Sequence, residues 1–452
     1  MSATPKCILH HMGNERVASM LDIRLIRENP SAVRQNIERR HDPEKMALLD
    51  QLIAADERWR ELTTRANRLR RRRNEISAEI GRLIKEERDP SDLRKEASEI
   101  PGLIGEAEEA RDRYGEEVRN ALMRLPNLLH DSVPYGVDDS GNVEVRRWGE
   151  PPRFDFEPLS HAEVARALGV VDFERGAKVS GSGFYYLRNE LALLNNAIIR
   201  FAVDHLLAKG YILIEPPYMI RRRPYEGVTD LADFEEVMYK VEGEDLYLIA
   251  TSEHSMAAMF MDEVLDAGSL PLKLVGVSPC FRREVGAHGK YTRGLFRVHQ
   301  FNKAEQFIFS LPEQSWALHE ELQRNSEELY RRLGLHYRVV NVCTGDIGSL
   351  AAKKYDIEVW MADGAYRESG SNSNCTDYQA RRLNIRYRLK EGQAPAGFVH
   401  TLNNTALATS RTMIAILEQH QRADGSVAVP EALRPYMNGM ERIEGALNPL
   451  KI

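Results

Sequence analysis

Between Pro279 and Glu305 the chain concentrates side chains that handle charge: Arg282, Arg283, Lys290, Arg293 and Arg297, with Glu284 and Glu305 among them. Gly286, Gly289 and Gly294 mark a loop between two extended runs, so the segment reads as strand, loop, strand. Alternation along a strand places Arg282 and Glu284 on one face, and Phe301, Lys303 and Glu305 together on one face. Phe301 and Glu305 are then about 13 Å apart at strand rise. An elongated ligand of that length could rest an aromatic base on one end and an ammonium on the other, as an aminoacyl-adenylate would. An ordinary hairpin whose Arg and Glu pair for stability explains the same local pattern.

Other chemistries find little support. Gly181-Ser-Gly183 lacks the third glycine of a dinucleotide fingerprint, and Gly286-Ala-His-Gly289-Lys290 is too short for a P-loop. Cys7, Cys280, Cys343 and Cys375 form no CxxC pair, and no HExxH occurs, so zinc has no home and a reduced, cytoplasmic chain is expected. The apolar run from Leu191 to Ile199 is broken by two Asn and is far too short for a membrane span. Residues 1–19 carry no apolar signal core and read as a disordered extension, with Met20 an equally good start. The chain has 452 residues, 62 Lys+Arg against 68 Asp+Glu, and 42% hydrophobic residues. That excludes wholesale disorder and a polycation, so any nucleic-acid contact must use a local basic surface.

Such a surface is present in the elements that would carry the site. Residues 43–122 hold 17 basic and 19 acidic side chains. Apolar or small residues recur in steps of three and four from Leu52 to Leu83, and again from Leu93 to Leu125, which is heptad spacing. Asp89-Pro90-Ser91 between the runs predicts a turn, and therefore an antiparallel coiled-coil hairpin. Pro101-Gly102 inside the second run predicts a kink, or a loose tip and a helix that starts late. Arg58 to Arg73 holds eight arginines and one acid. Pairing with acids between Glu106 and Glu117 could use some of them. Arg65, Arg68, Arg70, Arg71, Arg72 and Arg73 cover too many faces for all to pair, and the surplus suits a phosphate backbone.

Pro126 to Pro158 reads as a linker. Beyond it, a helix over Leu191–Leu207, strands over Tyr211–Glu215, Arg297–Phe309 and Gly397–Leu402, and a helix over Leu407–His420 are expected. Strands not separated by regular helices favour an α+β fold: an antiparallel sheet with flanking helices, preceded by the helical arm.

Phe281-Arg282-Arg283-Glu284, Thr292-Arg293-Gly294-Leu295 and His299-Gln300-Phe301 closely resemble motif 2 of class II aminoacyl-tRNA synthetases in its seryl form. Thr251-Ser252-Glu253 looks like the seryl family's TxE loop. Glu368-Ser369-Gly370-Ser371, running on to Arg382, is similar to its ATP-side strand. His400 to Arg411 matches motif 3, the charged hairpin resembles the tRNA-binding arm, and Met20 to Pro30 the family's start. The resemblance spans residues 20 to about 442. Gly370 and Asn372 depart from the common form of the ATP-side strand, and Asn403-Asn404-Thr405 resembles archaeal and eukaryotic members.

The resemblance implies a serine–tRNA ligase acting on L-serine, ATP and tRNA(Ser), and on tRNA(Sec) where that tRNA exists. It implies Arg282, Arg411 and Glu368 as catalytic groups, and Thr251, Glu253, Arg282, Glu305, Asn403 and Thr405 around serine. ATP would meet Arg282, Arg283, Glu284, Val298, Phe301, Glu368, Ser369, Gly370, Ser371 and Arg411, with Mg²⁺ on Glu368 and Ser371 and no zinc. Residues 20–125 would be the tRNA-binding domain, with Arg65, Arg68 and Arg70 to Arg73 as contacts. Residues 126–452 would be the catalytic domain, dimerising through the Leu191–Pro217 region. Two other outcomes fit the same sequence: a paralogue that activates an amino acid for another carrier, and a non-catalytic RNA-binding descendant. The first would lack the arm. The second would show decay at Arg282, Glu305, Glu368 or Arg411.

Overall fold

The structure is a computed structural model that describes residues 22–229, 235–284 and 294–445. The expectation for residues 1–19, and Lys290, Thr292 and Arg293 of the glycine loop, lie outside the described residues.

Two short helices, Ile23–Glu28 and Pro30–Glu38, lead into the arm. The arm is the helix pair Pro43–Lys85 (α1) and Ser91–Arg124 (α2), packed side by side. Asp42 caps α1 by accepting from the N–H groups of Glu44 and Lys45, and Pro43 occupies the first turn, where its missing N–H costs nothing. At 1.5 Å per residue α1 is about 65 Å long. The seam buries Ile76, Ile100 and Ile104, flanked by Leu69, Ile80, Leu93 and Ala97. This seam corrects the expectation of a late start. Helix α2 begins at Ser91 and runs through Pro101, because Ile100 and Ile104 on either side of it are locked into the seam.

The rest is built on an eight-stranded sheet. In chain order its strands are Val143–Trp148 (β1), Ile212–Ile214 (β2), Leu272–Phe281 (β3), Gln300–Ser310 (β4), Tyr337–Asn341 (β5), Lys353–Trp360 (β6), Tyr366–Asn374 (β7) and His400–Ala408 (β8). Their spatial order is β1-β5-β6-β7-β8-β4-β3-β2, antiparallel throughout except for the β2–β3 pair. Strand β1 corrects the linker reading. Five of its six residues pair with β5 at the sheet edge, and the strand escaped notice because it is short, largely exposed and rich in charge.

Helices Asn189–Leu207 (α3), Ser315–Arg332 (α5) and Thr409–Gln419 (α7) cover one face, burying Phe201, Leu322, Ile357 and Met413 among others. On the other face, Ser252–Ala257 (α4) and Tyr378–Leu383 (α6) pack over Phe307 and Phe309 at one end. The remainder of that face carries polar side chains, and the site lies there.

Candidate active site

A single pocket over the sheet is lined by Arg282, Glu284, Phe296, Val298, Phe301, Lys303, Glu368, Ser369, Gly370, Thr405, Ala408, Ser410 and Arg411. Nine of these are the residues named from sequence. They converge because β3, β4, β7 and β8 are neighbours in the sheet although far apart in the chain.

Two β-bulges decide which side chains reach the pocket. Along β7, Asn372 donates to the His319 carbonyl and the Ser369 hydroxyl accepts from Tyr330, so both side chains point into the α5 layer. They are three residues apart, an odd step that simple alternation forbids. Ser369 is the extra residue where the β6–β7 pairing slips, between Ile357–Gly370 and Glu358–Glu368. The slip turns Glu368 onto the pocket face. Along β8 the pairing slips again between Thr405 and Leu407, so Ala406 and Leu407 both enter the core while Thr405 and Ala408 line the pocket.

At one end two guanidinium groups are fixed. Arg411, at the start of α7, lies 3.8 Å over the Phe296 ring and donates to the backbone carbonyls of Phe296 and Glu368. Arg282 follows β3, where its backbone N–H bonds His299, its Nε reaches the Ala250 carbonyl at 3.5 Å and its guanidinium lies 5.2 Å over Phe301. Burial opposes ionisation of Glu368, yet Lys354, Arg411, Arg282 and Lys303 outweigh it and hold its carboxyl below the usual range. Glu284 accepts from Arg297 at 3.2 Å.

At the other end the carboxylates lie deep. Glu305 is 1% exposed and sits beneath Lys303 and Thr405. Lys303 Nζ lies 2.6 Å from its Oε2, and the Thr405 hydroxyl donates to the same oxygen at 3.3 Å. Burial raises the Glu305 carboxyl, and Lys303 counters it. Glu253 Oε1 accepts from Gln379 at 2.9 Å and from Asn403 at 3.1 Å. Burial, and then the Glu305 charge, push its carboxyl up to about 7. Thr251 caps α4, its hydroxyl accepting from the Glu253 N–H.

Two expected contacts stand apart. Arg283 is exposed and bonds Val237 through its backbone, and Ser371 faces Asp356 across the β6–β7 pair. Sequence reasoning passed over Phe296, Ser410 and Gln379. It placed Lys303 on the right face without a role. Gln379 carried a usable signal, since it lies in the segment running from Glu368 to Arg382.

In the arm, Arg70 pairs with Glu108 and Arg72 with Glu96 of the opposite helix, while Arg71 pairs within α1 with Glu75. Arg65, Arg68 and Arg73 are exposed and make no ion pair among the described residues. The arm's base is held to α6. Arg381 pairs with Asp22, Arg382 donates to the Met123 carbonyl, and the Tyr378 hydroxyl donates to that of Leu125 at 3.3 Å.

Comparison with known proteins agrees with this architecture. Residues 20–129 match the description "Seryl-tRNA synthetase N-terminal domain", and residues 237–420 match "tRNA synthetase class II core domain (G, H, P, S and T)". The chain is 57% identical over 427 residues to the serine–tRNA ligase of Methanoculleus marisnigri, covering 94% of this chain and 100% of that one. A crystal structure of seryl-tRNA synthetase from Pyrococcus horikoshii complexed with ATP superposes with a TM-score of 0.91. It is 48% identical and covers 94% of this chain and 100% of its own. The cytoplasmic serine–tRNA ligase of Naegleria fowleri in complex with AMP gives 0.86 at 36% identity, covering 95% and 99%. With both its arm and its catalytic core matched along nearly the whole length, the chain belongs to the seryl-tRNA synthetase family of class II aminoacyl-tRNA synthetases.

Proposed function

We propose that this chain activates L-serine with ATP and transfers it to tRNA(Ser), and to tRNA(Sec) where that tRNA exists. The observation that carries the reading is one pocket with fixed guanidinium groups at one end and, at the other, Lys303 and the Thr405 hydroxyl lying directly on the buried Glu305 carboxylate. A serine carboxylate is already nucleophilic at neutral pH, so the reaction needs alignment and charge neutralisation rather than a base. Arg282 bridges the serine carboxylate and the α-phosphate of ATP, two anions that otherwise repel. A carboxylate oxygen attacks the α-phosphorus, the bond to the β-phosphate breaks, and pyrophosphate leaves with the electron pair. The mixed anhydride is then opened by a ribose hydroxyl at the tRNA end, releasing AMP.

Glu305, Glu253, Thr251, Asn403 and Thr405 receive the ammonium and hydroxyl of serine. Hydrogen bonds to that hydroxyl reject alanine by about 10⁴-fold, because its absence leaves buried polar groups unpaired. Phe301 and Val298, with Glu284, Ser369 and Gly370 around them, serve the nucleotide, and Arg411 holds its far phosphate. Mg²⁺ fits the Glu368 end. It needs one or two carboxylates plus phosphate oxygens rather than an all-protein cage, and the Glu368 carboxyl is held ionised. Glu368 would hold it, Ser371 being turned to Asp356 in this structure, and the ion would offset phosphate charge.

The arm, residues 20–125, positions the tRNA, and residues 126–452 carry out the chemistry. Two copies assemble through α3 and β2, where Leu207, Ile212 and Leu213 are exposed apolar side chains. A cytoplasmic location goes with this activity. Among the described residues no helix is long and apolar enough to cross a membrane.

The test is charging. Purified protein given labelled serine, ATP, Mg²⁺ and tRNA(Ser) should yield seryl-tRNA, and no charging of any serine tRNA would overturn the proposal.

A further inference from the structure

Lys303 is a buried cation to which none of the steps above gives a task. Its side chain is 7% exposed and forms part of the pocket floor, while Glu305 lies under it at 1%. Lys303 Nζ is 2.6 Å from Glu305 Oε2 and 3.4 Å from the Thr405 hydroxyl. Both belong to the set that the serine reading gives to the substrate's ammonium and hydroxyl, and Glu305 is the carboxylate at the ammonium end. A primary ammonium therefore already stands where the substrate's primary ammonium has to go.

We propose that Lys303 is an exchangeable stand-in for the serine ammonium: it holds Glu305 until serine binds and then yields it to serine. The Lys303 ammonium then passes to the negative charge that the same substrate brings, its carboxylate, beside Arg282. This inference rests on the serine reading of the site.

Charge balance supports the exchange. Lys303 stands against Glu305 at 2.6 Å, and an uncompensated buried carboxylate is costly. Serine is a zwitterion. Its ammonium replaces the one that leaves Glu305, its carboxylate receives the displaced one, and no buried charge is left alone at either stage. Arg282 cannot make such a move, because its backbone and side chain are tied to His299, Ala250 and Phe301. The Lys303 ammonium ends a flexible four-carbon stem.

A substrate pair separates exchange from a merely structural ion pair. Serinamide keeps the ammonium and hydroxyl of serine but has no carboxylate for Lys303 to follow. In Lys303→Met the KM for serine in ATP–pyrophosphate exchange should rise roughly tenfold or more, the scale of a lost charge-assisted hydrogen bond. The inhibition constant of serinamide should fall, since its ammonium no longer competes for Glu305. Both constants rising together, or neither changing, would overturn the exchange. A crystal structure of the unaltered protein with L-serine and an α,β-methylene analogue of ATP, which cannot release pyrophosphate and so leaves the serine carboxylate intact, tests the same point without a variant. Lys303 Nζ should have left Glu305 Oε2 and the substrate ammonium taken its place, and Lys303 still bonded to that oxygen would refute the inference. Failure of the unaltered protein to exchange pyrophosphate with serine would instead count against the serine reading itself.

Discussion

Glu253 is the residue whose protonation the site perturbs most legibly. Its carboxyl rises from the ordinary 4.5 to about 7, through burial and then the Glu305 charge. The folded protein therefore keeps a proton that the unfolded chain releases, and the unfolding free energy falls as pH rises between those two values. Glu253→Gln removes that dependence. Thermal melts without serine should show the variant gaining on the unaltered protein as pH climbs from about 4.5 to about 7, with no further gain above about 7. A constant offset across the whole range would show that folding leaves the Glu253 carboxyl at its ordinary value. Sequence gave the identity of this residue through the TxE resemblance, but not its partners. Gln379 and Asn403 meet Glu253 from α6 and β8, more than a hundred residues away along the chain. The unassigned role of Lys303 has the same origin. Residue type and strand parity put it beside Glu305, and only the three-dimensional contact shows that it covers Glu305.

At the scale of elements, periodicity was the strongest signal where it persisted and misleading where one residue interrupted it. The heptads of α1 and α2 were readable because they recur over many turns. The bulges at Ser369 and Ala406 were not, since a single extra residue reverses which face every later side chain takes. Recognising Glu368 needed the resemblance, because counting by twos from Asn372 directs it into the core. Strand β1 was missed for lack of an apolar face. Pro101 shows tertiary packing overriding propensity: the Ile76–Ile100–Ile104 seam keeps α2 continuous past a residue that costs about 3 kcal/mol relative to Ala in a helix interior. Pro101→Ala should accordingly stabilise the arm by up to that amount. Greater amide-exchange protection across α2, with unchanged pyrophosphate exchange, is the expected outcome. Unchanged protection would mean that Pro101 costs the arm nothing.

For the whole molecule, the account divides labour between an arm that holds tRNA and a sheet that activates serine. Shortening the arm between Arg65 and Glu116 should leave serine-dependent pyrophosphate exchange intact and abolish tRNA charging. Equal loss of both would end the division, and α6 would be the place to look, since one short helix ties the arm's base through Arg381, Arg382 and Tyr378 and the serine end through Gln379. The central claim is narrower: a single guanidinium, Arg282, joins the two anions that must react. Serine-dependent ATP–pyrophosphate exchange measured for the unaltered protein and for Arg282→Ala tests it most directly. The account predicts exchange that requires serine and falls by about 10²-fold or more in the variant, the scale of losing a preorganised charge at a reacting centre. Exchange in the variant at the unaltered rate would contradict it.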